Sequence, residues 1–465
     1  MLGIFNKSWE VERKITGLMP EEIFGAWSDR SYAFWLDTAY PKGEWGRYSY
    51  IGWEPFLIVR AYDGTVEIDL EGKKSKLHVN NALSFLSRLI KEGVLSEENL
   101  KKYAVAVGYF AYDYGLKLNG ISLIENKSRV FCYDYEFAFY DFLIAYDHLE
   151  SLYFFVHTSD AGKQKIAEVQ KFLKRNQAFS ICPKKASECS VKLRSVFSRE
   201  EYEHAVRKIK EKIRDGYVYV VNLANQFKFA ADVNGFQLYL KIRKQSPTDY
   251  SAYMNFGDTL VLSASPECFL KIRGSRIFTK PIKGTVKRSK NPVEDDMLKN
   301  ELKNNQKERV ELAMVVDLER NDLAKICRPG SVRVVKFAEI ETYRHLHHLI
   351  GIVEGEMIPE TNLEQIIGAV FPGGSITGAP KIAAMNLIEQ LEGFNRGLYT
   401  GSLGFFLPGG QGDLNIMIRT LIGHGDQWYF GVGSGITIES LEPMEYEETL
   451  LKAKFLFKSL GFQDP

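Results

Sequence analysis

The sequence has few cysteines and no excess of charge of either sign. Sixty Lys plus Arg against 59 Asp plus Glu leave a net charge of +1, so nucleic acid and anionic membrane surfaces are not expected as partners. None of the cysteines sits in a C-x-x-C pair or at zinc spacing with histidines, which predicts reduced thiols. They are Cys132, Cys182, Cys189, Cys268 and Cys327.

Long apolar runs and common catalytic signatures are also missing. The most apolar stretch, residues 137–157, is interrupted by Asp141, Asp147 and Glu150, which excludes a membrane span there. The first residues lack a secretory signal pattern, so a cytoplasmic protein is expected. No Ser-His-Asp arrangement, dinucleotide fingerprint or internal repeat is present, which removes several large enzyme classes.

The chain does contain many short aromatic and β-branched runs. Between residues 1 and about 175 these runs alternate with turn signals and with two helical patterns, which predicts mostly antiparallel sheet with some helix. Residues 176–195 are rich in Pro, Lys, Ser and Cys without periodicity, which is typical of a linker. The predicted division is an N-terminal region, 1–190, and a second region, 191–465, within an α+β protein.

Helix signals are clear in the second region. Ser198 followed by Glu201 predicts a capping box, and Gly216 predicts the end of that helix. Residues 307–325 read as a helix that is apolar almost all round between Val310 and Leu318, so we expect it to be buried.

Residues 263–285, SASPECFLKIRGSRIFTKPIKGT, place an acid, Glu267, before a lysine, Lys283, in a tight Pro-Ile-Lys-Gly turn. Apolar surroundings lower the pKa of a lysine, which favours the neutral nucleophilic amine. Lys283 is therefore the predicted nucleophile.

The segment FPGGSITGAPK, residues 371–381, is a glycine loop that leads into a helix. Backbone amides at a helix start attract carboxylates or phosphates. The loop lacks the Lys-Ser/Thr of a nucleotide-binding P-loop, and a turn that merely needs glycine dihedrals explains it equally well.

Several charged residues are candidates for binding. Glu445, Glu448 and Lys452 share one face of the last helix, where a surface ion pair is the simpler interpretation. With Glu311 on the buried helix, these glutamates could hold Mg²⁺ together with substrate oxygens.

Arg419 and the neighbouring histidines complete the set of candidates. Arg419 lies in a predicted strand, IMIRTL, and suits a substrate carboxylate, although an exposed strand arginine is the alternative. His347 and His348 would face opposite ways on a strand, so one could reach a site and the other would be structural.

Seven motifs in this order resemble the chorismate-utilising enzymes. They are SASPECF, PIKGT, VVDLERNDL, FPGGSITGAPK, IMIRT, GVGSGI and EYEETLLKAK. The resemblance covers residues 193–457 densely and the first half loosely. It implies a large two-part β-sandwich of antiparallel sheets with helices packed outside.

The resemblance also implies a choice of product. Family members that form 4-amino-4-deoxychorismate, for 4-aminobenzoate and folate, carry the lysine of PIKGT, whereas anthranilate-forming members carry alanine. In this scheme Lys283 attacks C2 of chorismate, the C4 hydroxyl leaves, and ammonia displaces the lysine by attacking C4. The alternatives are anthranilate, isochorismate or salicylate formation, or a catalytically silent chorismate or tryptophan sensor.

Site roles follow from the same resemblance. Glu267 corresponds to the general acid, and Glu311, Glu448 and Glu445 to Mg²⁺ ligands. Substrate-binding positions fall on Thr285, His348, Thr377, Tyr399, Arg419, Gly433, Ser434, Gly435 and Lys452.

Two partners are implied as well. Ammonia would come from a separate glutamine amidotransferase subunit, because no cysteine here sits in a nucleophile elbow. Tryptophan is a candidate ligand of the N-terminal region, near Thr38, residues 45–48 and residues 249–251, although Asp249 departs from the expected pattern.

Overall fold

The computed structural model describes residues 10–15, 17–41, 45–92, 103–125, 127–128, 130–174 and 193–460. Most of the predicted linker, residues 176–192, lies outside the described residues, as does the expected helix stop at Gly461. The final linker position, Ser195, lies in a short strand.

The helices are numbered α1 to α11 along the described chain. They are α1 Pro20–Gly25, α2 Ala82–Glu92, α3 Tyr112–Leu118, α4 Asp160–Lys174, α5 Arg199–Arg214, α6 Gly235–Gln245, α7 Pro292–Asn304, α8 Gln306–Ala324, α9 Leu363–Val370, α10 Lys381–Leu391 and α11 Glu442–Leu460. In these ranges no helix is both long and apolar enough to cross a membrane.

The predicted start and end of α5 are confirmed. The Ser198 hydroxyl accepts from the Glu201 amide at 3.2 Å, and the Glu201 carboxylate accepts from the Ser198 amide at 2.8 Å. This reciprocal pair satisfies two donors that a helix start leaves without partners. The helix ends at Arg214, and Gly216 follows with φ +74°.

Strands β1 to β24, also numbered along the chain, form two twelve-stranded antiparallel sheets within the described residues. The first sheet contains β1 Glu10–Lys14, β2 Phe34–Asp37, β3 Tyr48–Gly52, β9 Phe142–Asp147, β10 Leu152–His157, β11 Arg194–Ser195, β12 Val220–Ala230, β13 Tyr250–Asn255, β14 Thr259–Ser265, β20 Gly378–Ala379, β23 Thr420–His424 and β24 Gln427–Ile436.

The second sheet contains β4 Leu57–Tyr62, β5 Thr65–Leu70, β6 Lys73–His78, β7 Val105–Phe110, β8 Tyr135–Tyr140, β15 Cys268–Arg273, β16 Arg276–Lys280, β17 Ile282–Lys287, β18 Arg333–Thr342, β19 Leu346–Glu356, β21 Ser402–Phe406 and β22 Gly412–Asn415. Its order is β17-β19-β16-β15-β22-β21-β7-β8-β4-β5-β6, with β18 beside β19.

Each sheet takes strands from both sides of residue 190. In the first sheet β13 pairs with β2 as well as with β14. In the second sheet β21 pairs with β7 as well as with β22. The division into 1–190 and 191–465 stays a prediction about the sequence, while the hydrogen-bonded sheets join the two regions.

The two sheets pack face to face. Phe34 of the first sheet lies 4.7 Å, ring centroid to ring centroid, from Tyr140 of the second, and Tyr50 lies 4.9 Å from Phe405. All four side chains belong to one buried cluster between the sheets. Helices α2, α8 and α9 cover the outer face of the second sheet, and α4, α6 and α11 contribute to a cluster on the first. The predicted α+β sandwich is confirmed.

Helix α8 is buried on one face only, which corrects the expectation of burial all round. Leu312, Val315 and Val316 are at most 6% exposed, but Val310 is 53% exposed. Polar side chains take the buried positions farther along, since Glu319 and Asp322 are 8% and 3% exposed. The sequence pattern did not indicate the burial of these two acidic residues, because charged residues are rarely buried without a partner.

Candidate active site

A bulge in β17 places Lys283 in the wall of a small cavity. The β17 register against β19 shifts between Lys283 and Thr285, and Gly284 between them has φ +66°. A Cβ at Gly284 would lie 2.9 Å from Leu302 and 3.0 Å from Glu308. The turn therefore needs glycine, both for its dihedral angle and for the close approach of α7 and α8.

The Lys283 amine donates a hydrogen bond to the carbonyl oxygen of Ser375 at 3.3 Å. Burial lowers the pKa of Lys283, while the carboxyls of Glu267 and Glu311 oppose the decrease and the Lys452 ammonium adds to it. A lowered pKa increases the fraction of neutral amine, which is the nucleophilic form.

Glu267 lies between β14 and β15 and is 3% exposed. Burial raises its pKa, and the Ser375 hydroxyl, the Lys283 ammonium and Arg419 oppose the increase. Its Oε1 atom has no hydrogen-bond partner among the described residues. A buried carboxyl with a raised pKa keeps a proton toward neutral pH, as a general acid must.

The glycine loop between α9 and α10 forms the opposite wall. Residues Gly374–Ile376 make a single 3-10 turn, and the Thr377 hydroxyl donates to the carbonyl of Gly373 at 3.0 Å. A Cβ at Gly374 would lie 2.9 Å from Leu318 of α8. The loop thus packs directly on α8, with the Thr377 side chain bonded within the loop.

The cavity between these walls has a volume of about 20 Å³. Small-molecule sites are about 300–1,000 Å³, so this space is smaller than a typical small-molecule site. The lining residues are Val220, Asn222, Lys283, Glu311, Met314, Val315, Gly374, Ser375, Thr377, Gly378 and Gly435.

Strand β24 contributes a glycine-rich edge to this site. A Cβ at Gly433 would lie 2.7 Å from Asn222 Oδ1 and 3.2 Å from the Tyr399 hydroxyl, and one at Gly435 would lie 4.0 Å from Glu311 Oε2. Tyr399 itself is 3% exposed. Three predicted substrate positions, Tyr399, Gly433 and Gly435, therefore lie beside the cavity.

Helix α11 packs on the same strand through polar side chains. The Ser434 hydroxyl donates to Glu445 Oε2 at 2.7 Å. The Lys452 ammonium donates to the Gly433 carbonyl at 2.9 Å and pairs with Glu448 at 2.7 Å. The surface ion pair expected between Glu448 and Lys452 is present, and the same lysine also contacts the β24 edge.

The three predicted metal ligands are only partly brought together. The described residues include no group of three or more His, Cys, Asp or Glu side chains arranged to hold a metal ion. Burial raises the pKa of Glu311, and the negative charges of Glu308 and Glu448 add to the increase. Glu311 and Glu448 thus influence each other electrostatically, but each also has a lysine partner, Lys307 at 3.9 Å and Lys452 at 2.7 Å, and Glu445 bonds Ser434.

The two adjacent histidines of β19 face opposite ways, as alternation along a strand predicts. His348 Nδ1 lies 2.8 Å from the Thr285 hydroxyl, on the strand that carries Lys283. His347 lies 3.1 Å from Asp295 and 2.9 Å from Thr342. His348 thus joins the predicted substrate position Thr285, and His347 has structural partners.

Arg419 lies close to the site, but not on a strand as predicted. Residues 416–419 connect β22 to β23, and Arg419 has φ +50°. Its carbonyl oxygen accepts from the Ala264 amide at 3.1 Å. Burial lowers the pKa of its guanidinium, and Tyr343 and Glu267 oppose the decrease. The sequence pattern was misleading because a left-handed residue here redirects the chain between two strands of different sheets.

Sequence reasoning missed a buried charged group next to the site. Glu319 accepts a hydrogen bond from Thr279, and Asp322 pairs with Lys381. The Lys381 ammonium also donates to the Val370 and Pro372 carbonyls at 3.0 and 2.8 Å. Helical spacing could have indicated this group, because residues 311, 315, 319 and 322 lie on one face of α8.

A second, larger cavity of about 310 Å³ lies between the sheets. It brings together the segments proposed to bind tryptophan, namely Thr38, Trp45 to Tyr48 and Asp249 to Ser251. Asp249 also lies 3.5 Å from the buried Lys280 ammonium. Tryptophan binding stays a prediction.

Comparisons with known proteins agree with the resemblance. A family model for chorismate binding enzymes matches residues 32–458. Aminodeoxychorismate synthase component 1 of Bacillus subtilis is 34% identical over 90% of each chain. Anthranilate synthase component 1 of Aquifex aeolicus is 33% identical over 91% of this chain and 88% of that protein.

The crystal structure of anthranilate synthase component I from Streptococcus pneumoniae aligns with a TM-score of 0.75 and 26% identity. The alignment covers 96% of this chain and 99% of that chain. The family match includes the cavity walls and most of both sheets. The chain belongs to the chorismate binding enzyme family.

Proposed function

We propose that the protein converts chorismate and ammonia to 4-amino-4-deoxychorismate, for 4-aminobenzoate and folate biosynthesis. The observation that carries this proposal is Lys283, whose amine lies in the cavity wall, hydrogen-bonded to Ser375 and within the electrostatic influence of Glu267. An alanine at this position could not form a covalent bond to the substrate. The 34% identity to aminodeoxychorismate synthase component 1 of Bacillus subtilis supports the same product.

In the proposed reaction the neutral Lys283 amine attacks C2 of chorismate. The two conjugated ring double bonds shift and the C4–O bond breaks, and Glu267 gives its proton to the departing hydroxyl, which leaves as water. Ammonia then forms a bond to C4, both double bonds shift back, and the C2–N bond breaks to release Lys283. The lowered pKa of Lys283 and the raised pKa of Glu267 favour the protonation states that the first step needs.

Mg²⁺ is proposed as the cofactor, with Glu311, Glu448 and Glu445 as its candidate ligands. Mg²⁺ is commonly bound by one or two carboxylates together with substrate oxygens and water, and Glu311 and Glu448 would supply such carboxylates. When bound, the ion would neutralise a chorismate carboxylate. Among the remaining predicted positions, Arg419 and Lys452 would supply positive charge for the second carboxylate of chorismate.

A glutamine amidotransferase subunit is proposed as the ammonia source. Cys132, Cys268 and Cys327 are all buried, and the sequence has no cysteine in a glycine-flanked nucleophile elbow. Glutamine hydrolysis is therefore assigned to another chain, and free ammonium should replace the partner in a test with the purified protein.

Anthranilate synthesis is the second candidate, because an anthranilate synthase component 1 is 33% identical over a similar length. The two functions differ in the carbon that accepts nitrogen, so product identity separates them. The purified chain should be incubated with chorismate, Mg²⁺ and ammonium, and the products separated by chromatography with mass detection. We expect 4-amino-4-deoxychorismate; anthranilate as the main product would refute the proposal.

A further inference from the structure

Asn222 is a polar residue of the cavity wall to which the proposed reaction gives no role. It lies on β12 and lines the cavity together with Lys283 and Glu311. Its side-chain oxygen, Oδ1, is buried and has no hydrogen-bond partner among the described residues. A buried carbonyl oxygen without a partner is costly to the folded protein, which points to a ligand that supplies the missing donor.

The backbone of Asn222 is held on both sides. Its amide donates to the Thr377 carbonyl of the glycine loop at 2.8 Å, and its carbonyl accepts from Arg396 Nη2 at 2.7 Å. The same guanidinium donates to the Ile376 carbonyl at 2.9 Å and is paired with Glu392. The position of Asn222 relative to the loop is therefore set before a ligand binds, which lowers the cost of recognition.

Strand β24 makes room for the amide of Asn222. A Cβ at Gly433 would lie 2.7 Å from Asn222 Oδ1 and 3.2 Å from the Tyr399 hydroxyl oxygen, so glycine at this position lets Oδ1 occupy the wall. Gly435, on the same face of the strand, lies beside Glu311 Oε2. Residues two apart on a strand are separated by about 7 Å, so one ring-sized molecule can reach both Asn222 and Glu311.

We propose that Asn222 Oδ1 accepts a hydrogen bond from the group at C4 of the substrate ring, first from the departing hydroxyl and then from the incoming ammonia. The inference rests on the proposed function, in which both groups occupy C4. With its two carboxyl groups ionised, chorismate has a single hydrogen-bond donor, the C4 hydroxyl, and ammonia donates as well. A carbonyl oxygen only accepts and repels carboxylates, so these two groups are the ones on the reactants that fit it.

This contact orients both reacting groups at C4. A hydroxyl that donates its proton to Asn222 presents its lone pairs to a second donor, which is Glu267 in the proposed reaction. Ammonia that donates one N–H to Asn222 keeps its lone pair free to attack C4. The amide itself stays neutral and transfers no proton, so its contribution is the placement of the two groups.

A binding measurement tests the contact without turnover. Calorimetric titrations in ammonium-free buffer use Lys283→Ala protein, which cannot form the adduct, and compare chorismate with 4-deoxychorismate, in which hydrogen replaces the C4 hydroxyl. With Asn222 present, we expect loss of the hydroxyl to raise Kd about 10-fold. With Asn222→Leu added, which has a branched side chain and no polar atom, the two ligands should bind within about two-fold of each other. An unchanged ratio of the two Kd values would overturn the inference.

The smaller variant Asn222→Ala repeats this test without crowding the cavity and should give the same loss of discrimination. Asn225→Ala is its matched control on the same strand. Asn225 Oδ1 accepts from the amides of Phe197 and Gln226 at 3.1 and 2.8 Å, so this control should melt at a lower temperature but keep the ratio of Kd values. Asn222→Ala should lose the ratio; a lower melting temperature with the ratio kept would identify Asn222 as structural and overturn the inference.

The two halves of the reaction separate the hydroxyl from ammonia. In protein that retains Lys283, adduct formation is followed by intact mass after mixing with chorismate and Mg²⁺, and adduct decay is followed after ammonium is added. We expect Asn222→Leu to slow each step by about 10-fold. A normal rate of formation would overturn the contact with the hydroxyl, and a normal rate of decay would overturn the contact with ammonia.

Failure of the proposed function gives a different result. Anthranilate would then be the product and no adduct would form on Lys283. The ratio of Kd values in the Lys283→Ala protein would still report whether Asn222 contacts the C4 hydroxyl, so the two failures are distinguishable.

Discussion

Lys283 and Glu267 need opposite changes in pKa for the proposed reaction, and one environment supplies both. Removal from water disfavours the charged form of each group, which lowers the pKa of the amine and raises that of the carboxyl. Their mutual attraction opposes both shifts. Burial of both groups therefore favours the reactive protonation states directly, because it removes them from water.

Substitution of Lys283 by alanine removes the proposed nucleophile. We expect formation of 4-amino-4-deoxychorismate to fall at least about 10³-fold, and the covalent substrate adduct to disappear from intact-mass spectra of enzyme quenched during turnover. Lys287→Ala, an exposed position on the same strand, is the matched control and should keep its activity. A Lys283→Ala enzyme within a few-fold of the unmodified rate would exclude covalent catalysis by this lysine.

At the scale of elements, the site depends on how β17 and α8 approach each other. Gly284 allows the β17 bulge, and α8 brings Glu311 and Glu319 to the same side of the sheet. Gly351 of β19 allows close packing too, since a Cβ there would lie 2.7 Å from Val316 of α8. The helix is thereby held against the strands that carry Lys283 and His348.

Gly284→Ala tests the bulge. A left-handed residue with a side chain costs about 1–2 kcal/mol, and here the new methyl group also meets Leu302 and Glu308. We expect a lower melting temperature together with a loss of kcat, because Lys283 is displaced.

The matched control for the bulge is Gly274→Ala in the β15–β16 turn. Gly274 has φ +59°, but a Cβ there meets no atom within 4 Å. The Gly274→Ala protein should therefore be less stable but keep its kcat. Equal kcat values for the two variants would contradict the positioning role of the bulge.

At the scale of the whole molecule, the two sheets make one hydrogen-bonded structure from distant parts of the chain. Strand β13 lies between β2 and β14, and β21 lies between β7 and β22. The cluster between the sheets also combines side chains from both sides of residue 190. Residues 191–465 consequently rely on residues 1–190 for β2 and β7, the neighbours of β13 and β21, and for part of the buried cluster between the sheets.

Expression of residues 191–465 alone tests this dependence. Without residues 1–190, β13 and β21 each lose a neighbouring strand, and exposed strand edges of this kind favour aggregation. We expect the fragment to lack a cooperative thermal transition and to elute as aggregates in size-exclusion chromatography. Co-expression of residues 1–190 should restore a folded, active complex; a stable, active fragment on its own would contradict the expectation.

Much of the fold could be predicted from the sequence because its signals are local. The capping box of Ser198 and Glu201 and the alternating strands depend on nearby residues only, and both are present. The predictions from the sequence were wrong where long-range packing determines burial and the path of the chain. Val310 is exposed although its segment is apolar, and Arg419 lies in a connection although its segment alternates like a strand.

The sequence by itself determined the family, the α+β class and the candidate nucleophile, since ordered motifs and residue periodicity do not require coordinates. Only the tertiary structure decided which candidates meet. It places Lys283 and Arg419 within electrostatic reach of Glu267, turns Glu445 toward Ser434, and buries Glu319 against Thr279. The physical reason is that burial and charge coupling arise between residues far apart in the chain, whose proximity is fixed by strand pairing and helix packing.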